Sequence, residues 1–527
     1  VRARLLDMLI GDWDRHEGQW RWVEEKKEKG KRYTPVPEDR DQAFFKVDGV
    51  LPWLATRKWG VRNVQNFGYE YEDIIGLNLS ALDLDRTFTS RVTKEEWLRI
   101  ARDIRQRVTD EVIREAVSQW PEDVQRISGE EVAAKLRSRR EKLPQAAEEY
   151  YNFLAQYVDI AGSDKHEQFL VNRLDNERMQ VIGYKTSKEG EIREEIYNRT
   201  FFTDQTKEVR IYGMDGQDEF LVTGDVDESI VVRIIAGNGD DRIVDNSRVS
   251  GLKKHTIVYD TELGNEFVFG PETKDKTEPY DEVNLYDRRN YSLPYLGPRL
   301  STEYNVDDGV FLGAGLLLRT QKFRKRPYAS EHLLEANYAF LTSSFNVRYT
   351  GDVRQVLGNW SLALNAALEG PKYQRNFYGL GNNTEQASDL EERFYRVRYE
   401  RVALNASLYR QPATFFKLGI GPTYERFHVV EPEEETYLLN VAREGGLQPG
   451  TYDPVAGKFN VQHYGGIAAY LNMDVIGGGS REQNPRIGMR WYSSISYNRQ
   501  LNGEKLDFTN LSSEFRFYIS PNFPLQL

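Results

Sequence analysis

The chain of 527 residues contains no cysteine. Disulfide bonds, thiolate metal sites and cysteine nucleophiles are therefore excluded. Histidine is scarce as well, with six residues, and none of them forms a His-x-x-x-His pair. A histidine-based metal site consequently has little support in the sequence.

Long hydrophobic runs are also absent. No stretch of eighteen apolar residues occurs, which excludes a transmembrane helix but not transmembrane strands. A net charge of −11 lacks the basic footprint of nucleic-acid binding, so we expect no nucleic-acid partner. The chain opens on Val1 without an initiator methionine or a signal peptide, and we expect it to be a fragment of a longer precursor.

The hydrophobic pattern predicts a multi-domain protein of three regions. Residues 1–160 are α-rich, with capping boxes at Thr93 and Ser128 that predict one helix running to about Trp120 and a second after it. Residues 161–296 predict an all-β connector, either a small sandwich or a short solenoid. Its predicted strands are Phe169–Val171, Met179–Tyr184, Glu208–Tyr212, Glu219–Val222, Ser229–Ile235, Thr256–Tyr259 and Glu282–Tyr286.

Residues 297–527 alternate apolar and polar side chains over long runs. Leu334, Ala336 and Tyr338 alternate with Glu335 and Asn337, for example, and about ten such strands follow Pro298. The runs reach the roughly 9–11 residues that cross a membrane, and aromatic residues gather near their ends. We predict an antiparallel transmembrane β-barrel, either complete or incomplete within this chain, with outer-membrane lipid as its partner. A soluble sheet with one buried face is the alternative.

Two motifs of this third region resemble a known family. Asp308–Arg319 and the Asn-Phe-Tyr-Gly-Leu-Gly-Asn-Asn motif at Asn376–Asn383 are similar to the opening of the bacterial surface antigen barrel, the BamA/TamA superfamily of outer-membrane insertases and transporters. The resemblance implies a bacterial outer-membrane location, a periplasmic soluble region, and a role in envelope biogenesis or transport. It also implies a seam between the first and last strands that handles client or partner envelope proteins.

The N-terminal region carries an acidic motif, Ile10–Trp20, followed by a second one in Tyr33–Phe45. A helix delivering Asp14, with Gln19 beyond it, and a hairpin returning Asp39 and Asp41 would bring several oxygen ligands together. Mg²⁺ or Mn²⁺ bound to the phosphates of ATP requires such hard oxygen ligands. These cofactors are therefore possible here.

The same motif resembles the catalytic half of atypical kinases, namely the spore-coat CotH kinases and their secretory relatives. The resemblance implies a kinase-like α+β region in which Asp14 takes the proton of the acceptor hydroxyl and His16 stands beside it in the catalytic loop. It further implies that Arg15 faces the cofactor phosphates and that Gln19, Asp39 and Asp41 hold the metal. We expect the nucleotide lobe to lie outside these 527 residues. An envelope phosphotransferase or phosphohydrolase using Asp14 and Asp41 is the alternative function.

Simpler interpretations of these residues stay open. Asp12, Asp14 and Arg15 can instead pair with Arg40 or Asp41 and pin two segments together. In the connector, Asp218, Asp240 or Asp241 could bind Ca²⁺, although tight Gly- and Asp-rich turns explain the same residues.

The chain as a whole also resembles the C-terminal portion of Bacteroidetes-type envelope proteins that begin with a calcineurin-like metallophosphoesterase and end in a surface-antigen barrel. Besides the barrel motif and the two acidic motifs, Gly162–Glu167 and Arg210–Gly216 carry this resemblance. It implies that any phosphoesterase chemistry belongs to sequence outside these 527 residues.

Overall fold

The structure is a computed structural model, and it describes residues 1–27, 31–384, 386–387, 389–432, 434–477, 487–503 and 506–519. The chain forms two compact units, Val1–Tyr291 and Ser292–Leu527. Within the described residues, no helix is both long enough and apolar enough to cross a membrane.

The first unit begins with a helical region. Its helices are α1 Arg2–Ile10, α2 Val50–Ala55, α3 Ile74–Leu77, α4 Leu82–Phe88, α5 Lys94–Arg107, α6 Asp110–Ser118, α7 Glu122–Val124 and α8 Glu130–Leu154. Short 3-10 helices lie at Glu17–Gln19 and Leu79–Ala81, and a π-helical turn spans Gln125–Gly129. Two antiparallel strands, β1 Trp20–Lys26 and β2 Lys31–Pro37, form a hairpin after the first 3-10 helix.

Helix α5 begins at the predicted capping box. The Thr93 hydroxyl accepts a hydrogen bond from the Glu96 N–H at 3.3 Å, which satisfies one of the free donors of the first turn. The helix ends at Arg107, and Thr109 caps α6 in the same way. The stretch predicted as one helix to Trp120 is therefore two helices.

The predicted helix start at Ser128 is wrong. Ser128 lies in the π-helical turn of a continuous helical stretch from Glu122 to Leu154, and its side chain caps nothing. The helix begins directly after Pro121, whose fixed φ suits a helix entrance and whose missing N–H is not needed there. Helical geometry is consequently established before the chain reaches Ser128.

The apolar stripe of α5 packs against α8 and α1. Trp97 is almost fully buried, and its ring centre lies 6.2 Å from that of Tyr150 in α8. Leu5 and Met8 of α1 belong to the same hydrophobic core. This core holds the helical region together.

Residues after α8 form short strands. They are β3 Tyr157–Ser163, β4 Glu167–Arg173, β5 Arg178–Thr186, β6 Ile192–Phe202, β7 Glu208–Met214, β8 Glu219–Thr223, β9 Asp225–Val226, β10 Val231–Ile235, β11 Arg242–Asp245, β12 Arg248–Val249, β13 Thr256–Tyr259, β14 Glu266–Val268 and β15 Thr273–Asp275. The predicted strand at Glu282–Tyr286 is wrong, because a 3-10 helix occupies Asp281–Asn284 instead.

Most of these strands pair in parallel with the equivalent strand of the preceding coil of the chain, and we call each coil a rung. The sheet order β15-β13-β10-β7-β3 is parallel throughout, and β14-β11-β8-β4 is a second parallel sheet extended by the antiparallel β5 and β6. Equivalent residues recur after 23 or 24 positions, as Asp215 with Asn238 and Asp241 with Asn265. Alternate apolar residues such as Val209 and Val232 fill the space between the sheets. This pairing is that of a short parallel solenoid.

The second unit is built on long strands. They are β16 Tyr295–Asn305, β17 Gly309–Thr320, β18 Ser330–Ala339, β19 Ser344–Leu357, β20 Trp360–Asn376, β21 Arg396–Ala413, β22 Phe416–Val429, β25 Gln462–Gly477, β26 Ile487–Gln500 and β27 Asp507–Ile519. A 3-10 helix, Glu392–Tyr395, precedes β21. The segment between β22 and β25 contains α9 Tyr437–Arg443 and the short strands β23 Tyr452–Asp453 and β24 Lys458–Phe459.

The ten long strands form one antiparallel sheet in the order of the sequence. The prediction of about ten long antiparallel strands after Pro298 is thereby confirmed. Closure into a barrel is not confirmed. Within the described residues, each of the outer strands, β16 and β27, pairs with a neighbour on one side only. The kinase-like character of the helical region stays a prediction.

Candidate functional site

The acidic motif near the N-terminus folds into a tight turn after α1. Gly11 ends the helix with φ 72°, and a β-carbon there would lie 2.8 Å from the ring of Phe67. The turn directs Arg15 into the interior, where it is 1% exposed. Arg15 Nη2 donates to Asp12 Oδ2 at 2.7 Å, and Arg15 Nε lies 3.2 Å from Asp7 Oδ2.

Asp7 is the centre of a buried ionic network. Its carboxylate also lies 2.9 Å from Arg4 Nη1 and 3.2 Å from Arg40 Nε. Arg4 Nε donates to Asp85 at 3.0 Å, so the network reaches α4. Burial by itself lowers the pKa of Arg4, but the carboxylates of Asp85 and Asp7 outweigh it and raise the pKa. Buried charges of this kind persist only when they are paired.

The network agrees with the structural interpretation in its residues but not in its pairs, because Asp12 pairs with Arg15 itself and Arg40 pairs with Asp7. It contains Asp12, Arg15 and Arg40, and it ties α1 to the segment after β2. Its centre, Asp7, was missed by sequence reasoning. The available signal was a carboxylate inside the apolar segment Leu5–Ile10, which requires a buried cation nearby.

The other predicted site residues lie around this turn. Asp14 is half-buried, and its backbone carbonyl accepts a hydrogen bond from the His16 N–H at 2.6 Å. The exposed His16 starts the 3-10 helix, because its Nδ1 accepts from the Gly18 N–H at 3.0 Å. Asp39 and Asp41 are exposed, and Asp39 Oδ1 accepts from the Asp41 N–H at 3.3 Å.

Gln19 is buried, and its side-chain oxygen has no hydrogen-bond partner among the described residues. Asp12 Oδ1 likewise has no hydrogen-bond partner among the described residues. In the part of the chain that the structure describes, no group of three His, Asp or Glu side chains is arranged to hold a metal ion. The metal, ATP and catalytic assignments for Asp14, Arg15, His16, Gln19, Asp39 and Asp41 stay predictions.

The acidic turns of the solenoid form a ladder of hydrogen bonds. Asp218 Oδ1 accepts from the Glu167 N–H at 2.8 Å, and Asp241 Oδ1 accepts from the Asp218 N–H at 2.7 Å. Asn265 Oδ1 accepts from the Asp241 N–H at 2.6 Å on the next rung. Burial raises the pKa of Asp218 to about 9, that of Asp241 to about 6 and that of Asp260 to about 7. The ladder gives Asp218 and Asp241 a structural role between rungs.

One face of the ten-stranded sheet is apolar across its width. Residues directly opposite each other on neighbouring strands share a face, and Leu316 pairs with Leu334, which pairs with Tyr349. A second row crosses six strands through Leu362, Leu408, Ile420, Ala469, Ile495 and Leu511. Most large side chains on this apolar face are exposed to a third or more of their surface.

The opposite face is polar and is held by ion pairs between strands. Arg401 Nε lies 2.8 Å from Glu425 and its Nη1 lies 3.5 Å from Glu369. Other cross-strand pairs on the polar face are Arg348 with Glu303, Arg319 with Glu331 and Arg490 with Asp474. Polar side chains thus satisfy one another on this face, whereas the apolar face carries few charges.

A buried carboxylate fastens the turn between β16 and β17. Asp308 is fully buried, and its Oδ1 accepts hydrogen bonds from Thr342 Oγ1 at 2.6 Å and from Ser344 Oγ at 2.8 Å. Its Oδ2 accepts from Asn305 Nδ2 at 3.0 Å and from the Gln374 N–H at 3.4 Å. Asp308 therefore joins three turns or strand ends at one end of the sheet.

The neighbouring Asp307 connects the two motifs that carried the surface-antigen resemblance. Asp307 Oδ1 accepts a hydrogen bond from Asn376 Nδ2 at 3.0 Å. Asn376 opens the second motif, and Asp308 opens the first. Segments that lie far apart in sequence are thus adjacent in the fold.

The two ends of the sheet differ in their connections. One end carries the two-residue turns 358–359 and 414–415 and the longer connection 321–329, and we call it the short-turn end. The opposite end carries the short turns 306–308 and 340–343 and the two longest connections, 377–395 and 430–461, and we call it the long-loop end. The chain enters the sheet at Tyr295, which pairs with Arg319 at the short-turn end.

No family model matches this chain, and none of the curated proteins does.

Proposed function

We propose that the second unit is part of an outer-membrane β-barrel and that the protein works at a bacterial outer membrane. One observation carries the proposal, namely the apolar face that runs across all ten strands. Strands of outer-membrane proteins alternate apolar residues toward lipid with polar residues toward the interior. The ion-paired polar face agrees with the polar, interior-facing side of such strands.

The energetics favour lipid as the cover of the apolar face. Burial of apolar surface is worth roughly 25 cal/mol for each Å² removed from water. Soluble proteins rarely leave contiguous apolar patches of more than a few hundred Å² uncovered. An exposed face that includes Leu316, Leu334 and Ile420 needs a cover, and a bilayer supplies one without any specific partner.

The connections suggest an orientation. Bacterial outer-membrane barrels have short periplasmic turns and longer extracellular loops. By that rule the short-turn end faces the periplasm. The chain enters the sheet at this end, which agrees with a periplasmic location for the residues before Tyr295.

Within this class, the surface-antigen type is the family we favour. The support for it is the resemblance of the motifs Asp308–Arg319 and Asn376–Asn383, and the hydrogen bond from Asn376 to Asp307 shows that the second motif begins beside the first. The role that follows is envelope biogenesis or transport, with client or partner envelope proteins as substrates. Barrel type supports location more directly than it supports activity.

Adjacent leucines on opposite faces of β18 provide the test. The chain has no cysteine, so Leu334→Cys and Leu333→Cys each create a single labelling site for an environment-sensitive fluorophore. The full chain is reconstituted into liposomes that contain doxyl-labelled phospholipid. We expect strong quenching of the probe at 334, on the apolar face, and much weaker quenching at 333, on the polar face.

Equal quenching at both positions would contradict the two-faced arrangement. A chain that stays monodisperse in buffer without detergent, with neither probe quenched by lipid, would support the soluble-sheet alternative and overturn the proposal.

A barrel-tethered phosphotransferase or phosphohydrolase is the second candidate. The buried side-chain oxygen of Gln19, which has no hydrogen-bond partner among the described residues, favours it, because a free amide oxygen can bind a metal ion. Binding of Mg²⁺ or Mn²⁺ with ATP by the full chain, lost in both Asp14→Ala and Asp41→Ala, would support this function. Unchanged binding in the two variants would reject the assignment of these residues.

A further inference from the structure

Helix α2 exposes nearly all of its apolar side chains. None of its six residues is buried, and Val50, Leu51 and Trp53 are 74%, 78% and 56% exposed. Single exposed apolar residues are ordinary, but consecutive ones on one short helix mark an interaction surface. We call this exposed group, with Leu54, the α2 patch.

The exposure does not come from a loosely formed helix. Thr56 Oγ1 donates to the Pro52 carbonyl at 3.0 Å, and the Val61 N–H donates to the Ala55 carbonyl at 2.6 Å. Pro52 lies in the first turn, where its missing N–H is harmless. The end of the helix is thus fixed by hydrogen bonds while its apolar side chains face outward.

Cations border the patch. The Arg57 guanidinium lies 4.4 Å from the centre of the Trp53 ring, and Arg57 Nε donates to the Trp53 carbonyl at 2.9 Å. Lys58 follows it in sequence and is exposed, whereas the exposed Lys46 on the other side is 3.9 Å from the Asp48 carboxylate and adds little net charge. Aromatic rings and leucines next to Arg and Lys are typical of elements that lie in the interface of a bilayer with anionic lipids.

We propose that the α2 patch inserts shallowly into an anionic phospholipid surface. Leu51 and Trp53 enter the boundary between headgroups and acyl chains, while Arg57 and Lys58 contact lipid phosphates. The charge of the border selects this partner over an uncharged apolar protein surface. The inference concerns the first unit and goes beyond the proposed function of the sheet.

The test uses the full chain in lipid nanodiscs with doxyl-labelled phospholipid. A fluorophore on Leu51→Cys reports the α2 patch, and one on Leu263→Cys, 86% exposed in a solenoid turn, is the matched control. Discs contain either phosphatidylcholine alone or phosphatidylcholine with phosphatidylglycerol. We expect a blue shift and quenching at 51 in the anionic discs, weaker effects in neutral discs, and none at 263.

Charge reversal sharpens the result. In Arg57→Glu with Lys58→Glu, the probe at 51 is expected to lose most of its quenching in anionic discs. A probe at 51 that stays solvent-like in both lipids overturns the proposal. So does a probe that becomes shielded without quenching by lipid, because that result indicates contact with protein.

The probe on Leu334→Cys separates this proposal from the proposed function. Quenching at 334 without quenching at 51 rejects the α2 patch as a lipid contact and leaves the sheet in the membrane. Where the sheet does not insert, the chain is added to preformed anionic vesicles. Quenching at 51 but not at 334 then keeps the α2 proposal and rejects the membrane sheet.

Discussion

Arg15 and Asp7 are joined inside the first unit, with Arg15 Nε 3.2 Å from Asp7 Oδ2 and both side chains almost fully buried. The pair links the turn after α1 to the helix itself. A buried ion pair adds little net stability compared with apolar residues, but removal of one partner leaves a buried charge unpaired.

Replacement of Arg15 is therefore expected to destabilise the protein strongly. Arg15→Ala leaves Asp7 and Asp12 with fewer cations, and the free energy of unfolding should fall by about 3–5 kcal/mol. Urea unfolding of the full chain measures it. Arg21→Ala is the control, because its ion pair with Glu38 is exposed and should contribute little. Equal losses in the two variants would contradict a central role for Arg15.

The solenoid should be less stable at alkaline pH. Burial, opposed by the Glu167 N–H and reinforced by the Asp241 and Glu167 carboxylates, raises the pKa of Asp218 to about 9. In the unfolded chain the same carboxyl group has a pKa of about 4. Above that pH the unfolded state binds fewer protons than the folded state, so this contribution to stability falls as pH rises towards 9.

An amide at this position removes the titration. Asn265 occupies the equivalent place on a later rung, so Asp218→Asn fits the ladder. We expect the variant to exceed the parent in unfolding free energy at pH 8 by more than about 1.4 kcal/mol, the equivalent of one pKa unit, and by less at pH 5. Asp225→Asn, at an exposed strand position, is the control. A pH-independent difference would show that Asp218 is not protonated in the folded state.

Close stacking of rungs predicts intolerance at Gly239. A β-carbon there would lie 1.5 Å from the Gly216 carbonyl oxygen, and φ is 137°. Gly239→Ala should cost about 2 kcal/mol or more, because both the contact and the backbone conformation resist it. Gly251 has φ 97° and open space around it, so Gly251→Ala measures the free-energy cost of the backbone conformation alone. Similar melting temperatures for both variants would argue against tight rung packing.

Asp308 is expected to stabilise the sheet end where it lies. Asp308→Ala leaves the Thr342 and Ser344 hydroxyls with only each other as partners and removes the acceptor of the buried Gln374 N–H, at about 1–3 kcal/mol for a buried group left unpaired. Thermal unfolding of the full chain in detergent micelles measures the loss. Asp389→Ala, in an exposed part of the long loop, serves as the comparison. If neither variant is less stable than the parent, Asp308 does not fasten this end of the sheet.

Some of this architecture was predictable because it depends on local patterns. The Thr93 cap and the alternation of Leu334 with Glu335 follow from hydrogen-bonding and side-chain periodicity within a few residues. The predicted cap at Ser128 was wrong because the helix already begins after Pro121, so Ser128 lies inside it. Of the candidate site, ion pairing of Asp12 and Arg15 was one of the open interpretations, but the pair they form with each other and its centre at Asp7 were not predicted.

The alternating strands, their approximate number, the lack of an eighteen-residue apolar run and the exclusion of thiol chemistry all follow from the amino-acid sequence. Each of these depends on residue type and short-range order. The folded structure was needed to show which charges meet, because Asp7 pairs with Arg15 and Arg40, which lie outside its own helix. It also decided that the acidic turns stack as a ladder and that Asn376 meets Asp307, since contacts between distant segments depend on register and packing.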